Sequence, residues 1–554
     1  MIRPLPALAA LALCPTLFEP FPAAAQARVP ELRVDSVFAD VDGPTTPGCA
    51  VAVMRGGAPV YERGYGMANL EHGIPITPHS VFHVASVSKQ FTAMAVELLV
   101  NEGKASWDDD VRTYVPEVPD FGTPITLRHL VHHVSGIRDQ WNLLRSAGWR
   151  WEADVVTQGD VLDITSRQTA LNFPPGERYL YSNTGFTLLA VVVERVSGKS
   201  LREFAHERIF VPLGMDATHF HDDHAMIVRN RAWAYAPDPE GLFGLKGSIP
   251  DFDVVGATSL FTTVHDLAAW DRNFTTARVG GREALTRMHQ RFVLNSGDTI
   301  AYAHGLTMGA HRGLRTVGHS GSDAGYRAQL LRFPDQDLTV AVLCNFPSAD
   351  PGARALRVAE AYLEDVMEPR PARSAPQPVD VPASELAEVA GVYRGELPNQ
   401  VFLVRLERDT LRLGVGRAQA LLPLGGRRFA SGSSVVLFHA GRAGVPAQIE
   451  IPGVGRASRK DAWVPTEQEL HEFEGVYVSM ELGTEYRILM EKSGLVARHR
   501  KLEPRPLTPT FRDTFLLQGA VAVFTRDASG RIEGFTLSDG RVWNVRFRPD
   551  GGGS

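Results

Sequence analysis

Apolar and polar residues change their spacing along this 554-residue chain, and each spacing predicts a different kind of structure. Val51-Ala52-Val53-Met54 and Val60 to Gly66 flank Gly56-Gly57, a spacing that predicts a β-hairpin. Gln90 to Val100 is apolar on nearly every face, the signature of a helix enclosed in a large core. Helical segments fill the middle of the chain. Strands return between His319 and Asn345, clearest at Tyr326 to Phe333 and Leu338 to Cys344. Together these elements predict an antiparallel sheet covered by helices, an α/β (α+β) class of fold.

The pattern breaks at Met367 to Pro378, which is proline-rich, polar and poor in large apolar residues, as an extended linker should be. Beyond it, short alternating runs such as Val401 to Leu406 and Val521 to Phe524 lie between Gly, Asp and Ser turns and predict antiparallel strands. This region repeats itself. Glu385-Leu386-Ala387-Glu388-Val389-Ala390-Gly391-Val392-Tyr393 returns as Glu469-Leu470-His471-Glu472-Phe473-Glu474-Gly475-Val476-Tyr477, an offset of 84 residues. Two copies imply two units, each long enough for a small up-and-down barrel, and the same repeat also fits one barrel shared by both copies. The expected organisation is a leader at 1–27, a first domain at 28–366, a linker at 367–384, and barrel repeats at 385–465 and 466–551.

Composition narrows this further. With 44% hydrophobic residues the chain is long enough for several cores, and a net charge of −6 gives no reason to expect nucleic acid. From Leu386 onward there are 23 basic and 19 acidic residues, a net of +4 that leaves −10 on the remainder. Such opposite signs would favour docking between the two parts. Residues 1–27 read as a secretory signal: Arg3, a short apolar stretch from Leu5 to Phe18, then Ala25-Gln26-Ala27 as a small-x-small cleavage site before Arg28. Export to the periplasm or the exterior is expected. Cys14 follows Leu13 and precedes Pro15, a context against lipid attachment. No other segment suggests a membrane span.

The candidate chemistry begins at Ser86-Val87-Ser88-Lys89. A serine and a lysine three residues apart lie one helical turn from each other and can share a proton, which makes the serine a possible nucleophile. Both residues are common, so a solvated helix start fits the pattern equally well. The context decides. A buried helix follows, and its first turn offers the positive end of the helix dipole and free N–H groups. Phe173-Pro174-Pro175-Gly176-Glu177-Arg178-Tyr179-Leu180-Tyr181-Ser182-Asn183-Thr184-Gly185 contains a Tyr-x-Asn triplet, and Gly318-His319-Ser320-Gly321 precedes a strand. With Ile125 to Leu130, His133-Val134-Ser135-Gly136 and Pro212-Leu213-Gly214-Met215, the stretch from Val37 to Glu364 resembles the penicillin-recognising serine hydrolases. Within them it resembles the branch of class C β-lactamases, D-aminopeptidases, DD-peptidases and related esterases.

The resemblance implies that Ser86 attacks a carbonyl, Lys89 holds or removes its proton, and Tyr181 passes that proton to the leaving group and activates the deacylating water. Asn183 would bond Lys89 or the substrate amide. The oxyanion donors would be the backbone N–H groups of Ser86 and Ser322, the latter following the His319-Ser320-Gly321 triplet. A serine hydroxyl is too weak an acid to react unaided, and a lysine packed against a buried helix acts as a base once its charged form is disfavoured. The strand triplet departs from the Lys-Thr-Gly found in β-lactamases. His319 is mostly neutral at pH 7, so recognition of a carboxylate and efficient β-lactam turnover are weakened. The resemblance also implies a β-lactamase-like domain followed by two eight-stranded barrels, as in D-aminopeptidases. It further implies that the strands opening at Cys49 and closing at Cys344 pair antiparallel, placing the two cysteines for a disulfide; two buried free thiols are the alternative.

Rival readings are weaker. Gly318-His319-Ser320-Gly321-Ser322 is similar to a nucleophile elbow with Ser320 as nucleophile, but its fifth residue is Ser and a strand, rather than a helix, follows. His129, His132 and His133 lack an accompanying metal motif, and Asp108-Asp109-Asp110 reads as a solvated turn and helix cap. No metal or cofactor is expected. The reading is an exported serine hydrolase acting on a small peptide, amide or ester, with a D-amino-acid peptidase or amidase preferred. A carboxylesterase or weak β-lactamase is the alternative, and a penicillin- or cell-wall-binding protein that never turns over is the non-enzyme alternative. Nothing in the sequence sets the oligomeric state.

Overall fold

The computed structural model describes residues 29–550 apart from 152, 371–376, 415–417, 433 and 443–446. The leader and the centre of the linker lie outside the described residues. The first domain is built on a six-stranded antiparallel sheet. Its strands are β1 (Cys49–Arg55), β2 (Ala58–Tyr65), β3 (Thr307–His311), β4 (Leu314–Asp323), β5 (Tyr326–Phe333) and β6 (Leu338–Cys344), in the order β3-β4-β5-β6-β1-β2. The helices that matter for the site and the core are α1 (Val29–Phe38), α2 (Lys89–Asn101), α3 (Gln140–Ser146), α4 (Asn183–Ser197), α5 (Val264–Thr276) and α6 (Pro351–Leu363).

Period-2 alternation sorts β1 between two cores. Cys49, Val51 and Val53 face a layer containing Phe38 of α1 and Val358 of α6. Ala50, Ala52 and Met54 face the main helical core, to which α2, α4 and α5 contribute Phe91, Phe186 and Trp270. A strand buried on both sides reads as a continuous apolar run, which is why Val51 to Met54 is recognisable in the sequence. The hairpin around Gly56-Gly57 is present, with β1 paired antiparallel to β2.

The sheet begins earlier on its far edge than the sequence suggested, at Thr307 rather than His319. Strand β3 is half exposed and carries no apolar alternation, so it leaves no periodic signal. Ser320 lies inside β4 and not at a strand-to-helix turn, which removes the elbow reading.

Cys49 and Cys344 are register partners on β1 and β6 and are joined as a disulfide, with Cα atoms 4.1 Å apart. Asn345 N donates to Gly48 O across the two strands at 3.2 Å, marking 49/344 as a non-hydrogen-bonded pair, the kind with the shortest Cα separation.

The C-terminal region forms two separate closed eight-stranded barrels, spanning Gly391–Lys460 and Gly475–Pro549. The repeated motif has one job in both. Tyr393 donates its hydroxyl proton to Val389 O at 2.7 Å, and Tyr477 donates to Phe473 O at 3.0 Å, tying each opening strand to the helical turn before it.

The second barrel is not a detached bead. Its interior residues, including Phe515, Phe535 and Phe547, form one continuous core with Leu143 and Leu144 of α3 and with Val161 and Ile164. At this junction Arg138 donates to Glu481 at 2.6 Å, with side chains only 2% and 4% exposed. Arg145 grips Asp539 through two bonds of 2.8 and 2.7 Å. In these two pairs the cation comes from the acidic first domain and the carboxylate from the basic barrel region. Arg541 with Asp139 at 3.5 Å and Lys501 with Asp154 at 3.3 Å run the other way, so the junction carries ion pairs of both senses.

Because the disulfide closes a loop of 295 residues, replacing both cysteines by serine should cost about 2–4 kcal/mol of stability. Urea unfolding of the double variant beside wild type measures it, and equal midpoints would show that the bridge contributes nothing.

Candidate active site

Ser86 sits in a short 3-10 turn, Ala85–Ser88, that runs directly into α2. The turn is sharp. Ala85 before the serine adopts φ 48°, a left-handed conformation costing a non-glycine residue about 1–3 kcal/mol. Neighbours hold it in place: Ala85 N donates to His83 Nδ1 at 3.2 Å, and Ser88 takes a bond from Leu260 N at 2.9 Å while donating to Ala85 O. Strand β4 presses on the same turn. A Cβ on Gly321 would lie 2.1 Å from Val84 O, so only glycine allows the strand this close. Ser322 and Asp323, the next residues, line a cleft of about 870 Å³.

Lys89 is wholly buried. Its Nζ donates to Ser86 Oγ at 3.2 Å, Asn183 Oδ1 at 2.9 Å and Ala257 O at 2.6 Å. Burial pulls its pKa down to about 7; Asp323 opposes that shift, Arg541 adds to it and Asp139 opposes it. Near neutral pH a large share of this amine is therefore unprotonated and able to accept a proton from Ser86.

Nζ also lies 4.8 Å from the centre of the Tyr181 ring. The Tyr181 hydroxyl is buried without a completed hydrogen bond. Burial raises its pKa, offset in part by the Ser86 hydroxyl beside it. The contact is too loose to count as a hydrogen bond in this unliganded arrangement, the kind of geometry that tightens when substrate binds. His133 braces the tyrosine: its ring lies 4.1 Å from that of Tyr181 at a tilt of 36°, its Nδ1 accepts from Ser182 N at 3.1 Å, and its carbonyl accepts from Leu180 N at 2.9 Å.

His319 borders the same site, its ring 6.2 Å from that of Tyr181. Its Nδ1 lies 2.6 Å from Ser320 O, which can only accept, so Nδ1 carries the hydrogen. Its Nε2 then accepts from the Tyr302 hydroxyl at 2.9 Å. Burial lowers the pKa to about 4. The ring is neutral with both nitrogens engaged, so it presents no cation to a substrate.

The site thus brings together Ser86, Lys89, Tyr181, Asn183, His319, Gly321 and Ser322 from α2, α4, β4 and the loop before α4. Other members had no motif to announce them. Asp139 is fully buried and accepts from Asn183 N at 2.8 Å and Nδ2 at 2.9 Å, which turns Asn183 Oδ1 toward Lys89. Tyr302 occupies Nε2 of His319. Arg541, from the second barrel, lies with its guanidinium carbon 5.3 Å from the Tyr181 ring centre. Asp323 has its pKa raised by burial to about 6, against the pull of Thr258 and Lys89.

The residues read as structural occupy structural positions. His132 bonds the carbonyls of Arg128 and Gln290, and His129 Nδ1 accepts from Thr126 N. Asp110 caps a 3-10 turn and Asp108 pairs with Arg128. Among the described residues, Asp223, His224 and Asp253 bring three donor groups together, largely exposed, with His224 already bonded to Asp253 at 3.0 Å.

The beta-lactamase family pattern matches residues 34–363, more than half of the chain. The chain belongs to the beta-lactamase family. Among relatives of this family, a penicillin-binding protein of Bacillus subtilis is 29% identical over 312 residues, covering 53% of this chain and 67% of that protein. A D-aminopeptidase of Gluconobacter oxydans is 28% identical over 459 residues, covering 81% of this chain and 82% of the relative, a span that must include barrel sequence. In fold, the octameric penicillin-binding protein homologue of Pyrococcus abyssi matches with a TM-score of 0.56 at 24% identity, over 78% of this chain and 99% of that one. Among the described residues no helix is long and apolar enough to cross a membrane.

For a beta-lactamase-family site with this lysine, the acylation rate should climb along an acid limb centred near pH 7. Lys89 is protonated and idle below its pKa and becomes a competent base above it. Single-turnover acylation across the pH range reads this directly, and Lys89→Ala should lose at least about 10³-fold. A rate flat from about pH 5 to 9 would remove Lys89 as the base.

Proposed function

We propose that this protein is an acylating serine hydrolase for amides and esters, with D-amino-acid peptides or amides as its preferred substrates. The observation that carries the reading is the buried Lys89 amine, depressed toward neutrality and bonded to Ser86 with Tyr181 at its side. In the proposed cycle Ser86 Oγ attacks the substrate carbonyl while its proton passes to neutral Lys89. The backbone N–H groups of Ser86 and Ser322 take the charge that develops on the carbonyl oxygen. Lys89 returns the proton, by way of Tyr181, to the departing amine or alcohol, leaving an ester on Ser86. Water then attacks that ester, its proton moving to the same Tyr181–Lys89 pair, and Ser86 recovers its hydrogen as the acid leaves.

The preference for D-amino-acid substrates draws on the similarity to the Gluconobacter D-aminopeptidase across the hydrolase domain and into the barrels. His319 supports the same side of the choice: locked neutral by Tyr302 and Ser320, it offers no cation where β-lactam turnover would call for one. Export is part of the proposal. The leader pattern and the Cys49–Cys344 disulfide both suit an oxidising compartment.

A panel of D- and L-alanine nitroanilide, a short-chain nitrophenyl ester and a chromogenic cephalosporin tests it. The D-anilide should exceed its L-enantiomer by at least about tenfold in kcat/KM, with the cephalosporin slowest. Ser86→Ala should be silent on all four, and activity in that variant would refute the mechanism. Tyr181→Phe should slow turnover by about 10²-fold or more while an acyl-enzyme remains detectable by mass spectrometry.

A further inference from the structure

We propose that Arg541, on the last hairpin of the second barrel, is a positioning residue of the active centre. It neutralises the buried Asp139 carboxylate that orients Asn183 against Lys89, and so makes the barrel a working part of the hydrolase. The inference rests on the reading of Lys89 as the base for Ser86.

The hairpin is built to reach this place. Its turn runs through Asp539-Gly540, and Gly540 has φ 55°. A Cβ there would come within 2.7 Å of the Asn142 amide on α3, so the turn packs directly against that helix. Its backbone is then clamped from the hydrolase side: Asn172 donates to Arg541 O at 2.9 Å and accepts from Trp543 N at 2.8 Å. With the main chain held there, the Arg541 side chain runs along the Tyr181 ring to within 3.5 Å of Asp139.

Asp139 needs that cation. Its Oδ2 is occupied by two bonds from Asn183, and its Oδ1 accepts from Trp141 N at 3.1 Å and Asn142 N at 3.4 Å as the cap of α3. Among the described residues its one ion pair is with Arg541, at 3.5 Å. A fully enclosed carboxylate is costly to bury without charge compensation and hydrogen bonds together. It accepts from Asn183 Nδ2, and the amide must then present Oδ1 to Lys89. If the carboxylate moves, the amide is free to rotate and Lys89 loses one of its three acceptors.

Arg541 also acts on Lys89 through space. The ionisable groups around that amine are Tyr181 and His133 on the Tyr181 side, His319 and Asp323 on β4, Asp139 before α3, and Arg541. The two histidines are held neutral by burial, and the two carboxylates favour the charged lysine. Arg541 is the cation in this set that opposes them and holds the amine toward its neutral form.

The test compares wild type, R541Q and R541K in full-length protein, following single-turnover acylation by a nitrophenyl ester across pH, with a thermal melt for each. R541Q should lose roughly 10–100-fold in rate, and its acid limb should move to higher pH, because without the guanidinium Lys89 holds its proton more tightly. R541K should keep the wild-type limb at a reduced rate. A limb in R541Q that coincides with wild type overturns the proposal whatever the rate, since a purely structural residue would lower activity without moving it. If R541Q does not fold, R541K decides, and a shifted limb in that charge-conserving variant is the contrary result. Failure of the underlying reading looks different: wild type would lack an acid limb, or Ser86→Ala would still acylate.

Discussion

A lysine amine with no access to solvent is the constraint from which the site is built. Burying a cation is costly unless hydrogen-bond acceptors surround it, and Lys89 has three: a serine hydroxyl, a side-chain amide and a main-chain carbonyl. Each acceptor anchors a different part of the fold. Ser86 belongs to the strained turn beneath β4, Ala257 to the segment leading into α5, and Asn183 to the start of α4. The same burial that demands these partners keeps the amine close to neutrality, so the structural and chemical requirements coincide in one side chain. The burial of the first turns of α2 is part of that arrangement, because a solvated helix start would leave the lysine charged and Ser86 unactivated.

The two barrels share a sequence repeat and a fold but not a role. Both keep the tyrosine that ties the opening strand to the preceding turn, which explains why Gly-Val-Tyr recurs at the same spacing. Among the described residues only the second merges its core with α3 and places a side chain beside Tyr181. The first packs on its sibling through a small cluster of Val392, Val401, Leu516 and Val521. The junction used by the second barrel carries a buried Arg138–Glu481 pair, an arrangement that is costly to break once formed and that fixes register more surely than apolar packing alone. Arg138 adjoins Asp139, so the residue that locks the barrel in place is next in sequence to the one that orients Asn183.

Much of the architecture was legible in the sequence because it rests on periodicity and local turn chemistry. Doubly buried strands, a helix apolar on nearly every face and Gly-Gly at a hairpin each leave a pattern within about ten residues. Ser86, Lys89 and the Tyr-x-Asn triplet were legible for another reason: each is a short motif whose order along the chain resembles that of a known family. Asp139, Tyr302, Asp323 and Arg541 were not. Each is a single residue on a loop or strand end, and what makes it part of the site is a contact that no local motif announces, from the 17 positions between Tyr302 and His319 to the 402 between Arg541 and Asp139. One signal was available: Asp539-Gly540 is a strong hairpin dipeptide, and it marks the turn that carries Arg541. The early edge strand β3 was missed for a different reason, being too exposed to alternate.

The state of His319 shows how far one hydrogen-bond partner redirects a site. A free imidazole beside a nucleophile would titrate near neutral pH and offer a donor or a cation to whatever bound there. Here the Ser320 carbonyl fixes the proton on Nδ1, and Tyr302 occupies Nε2, so the ring is held as a neutral wall. Positive charge in the adjoining cleft therefore comes from elsewhere. Arg327 projects from β5 and satisfies itself on the carbonyls of Ala324 and Tyr326, while Arg541 enters from the barrel. With the strand triplet neutral, the positive groups lining the cleft stand on several elements, Arg145 on α3, Lys246, Arg327 on β5 and Arg541 on the barrel, beside the carboxylates of Asp251 and Asp323. The charge sensed by a bound molecule therefore depends in part on the second barrel.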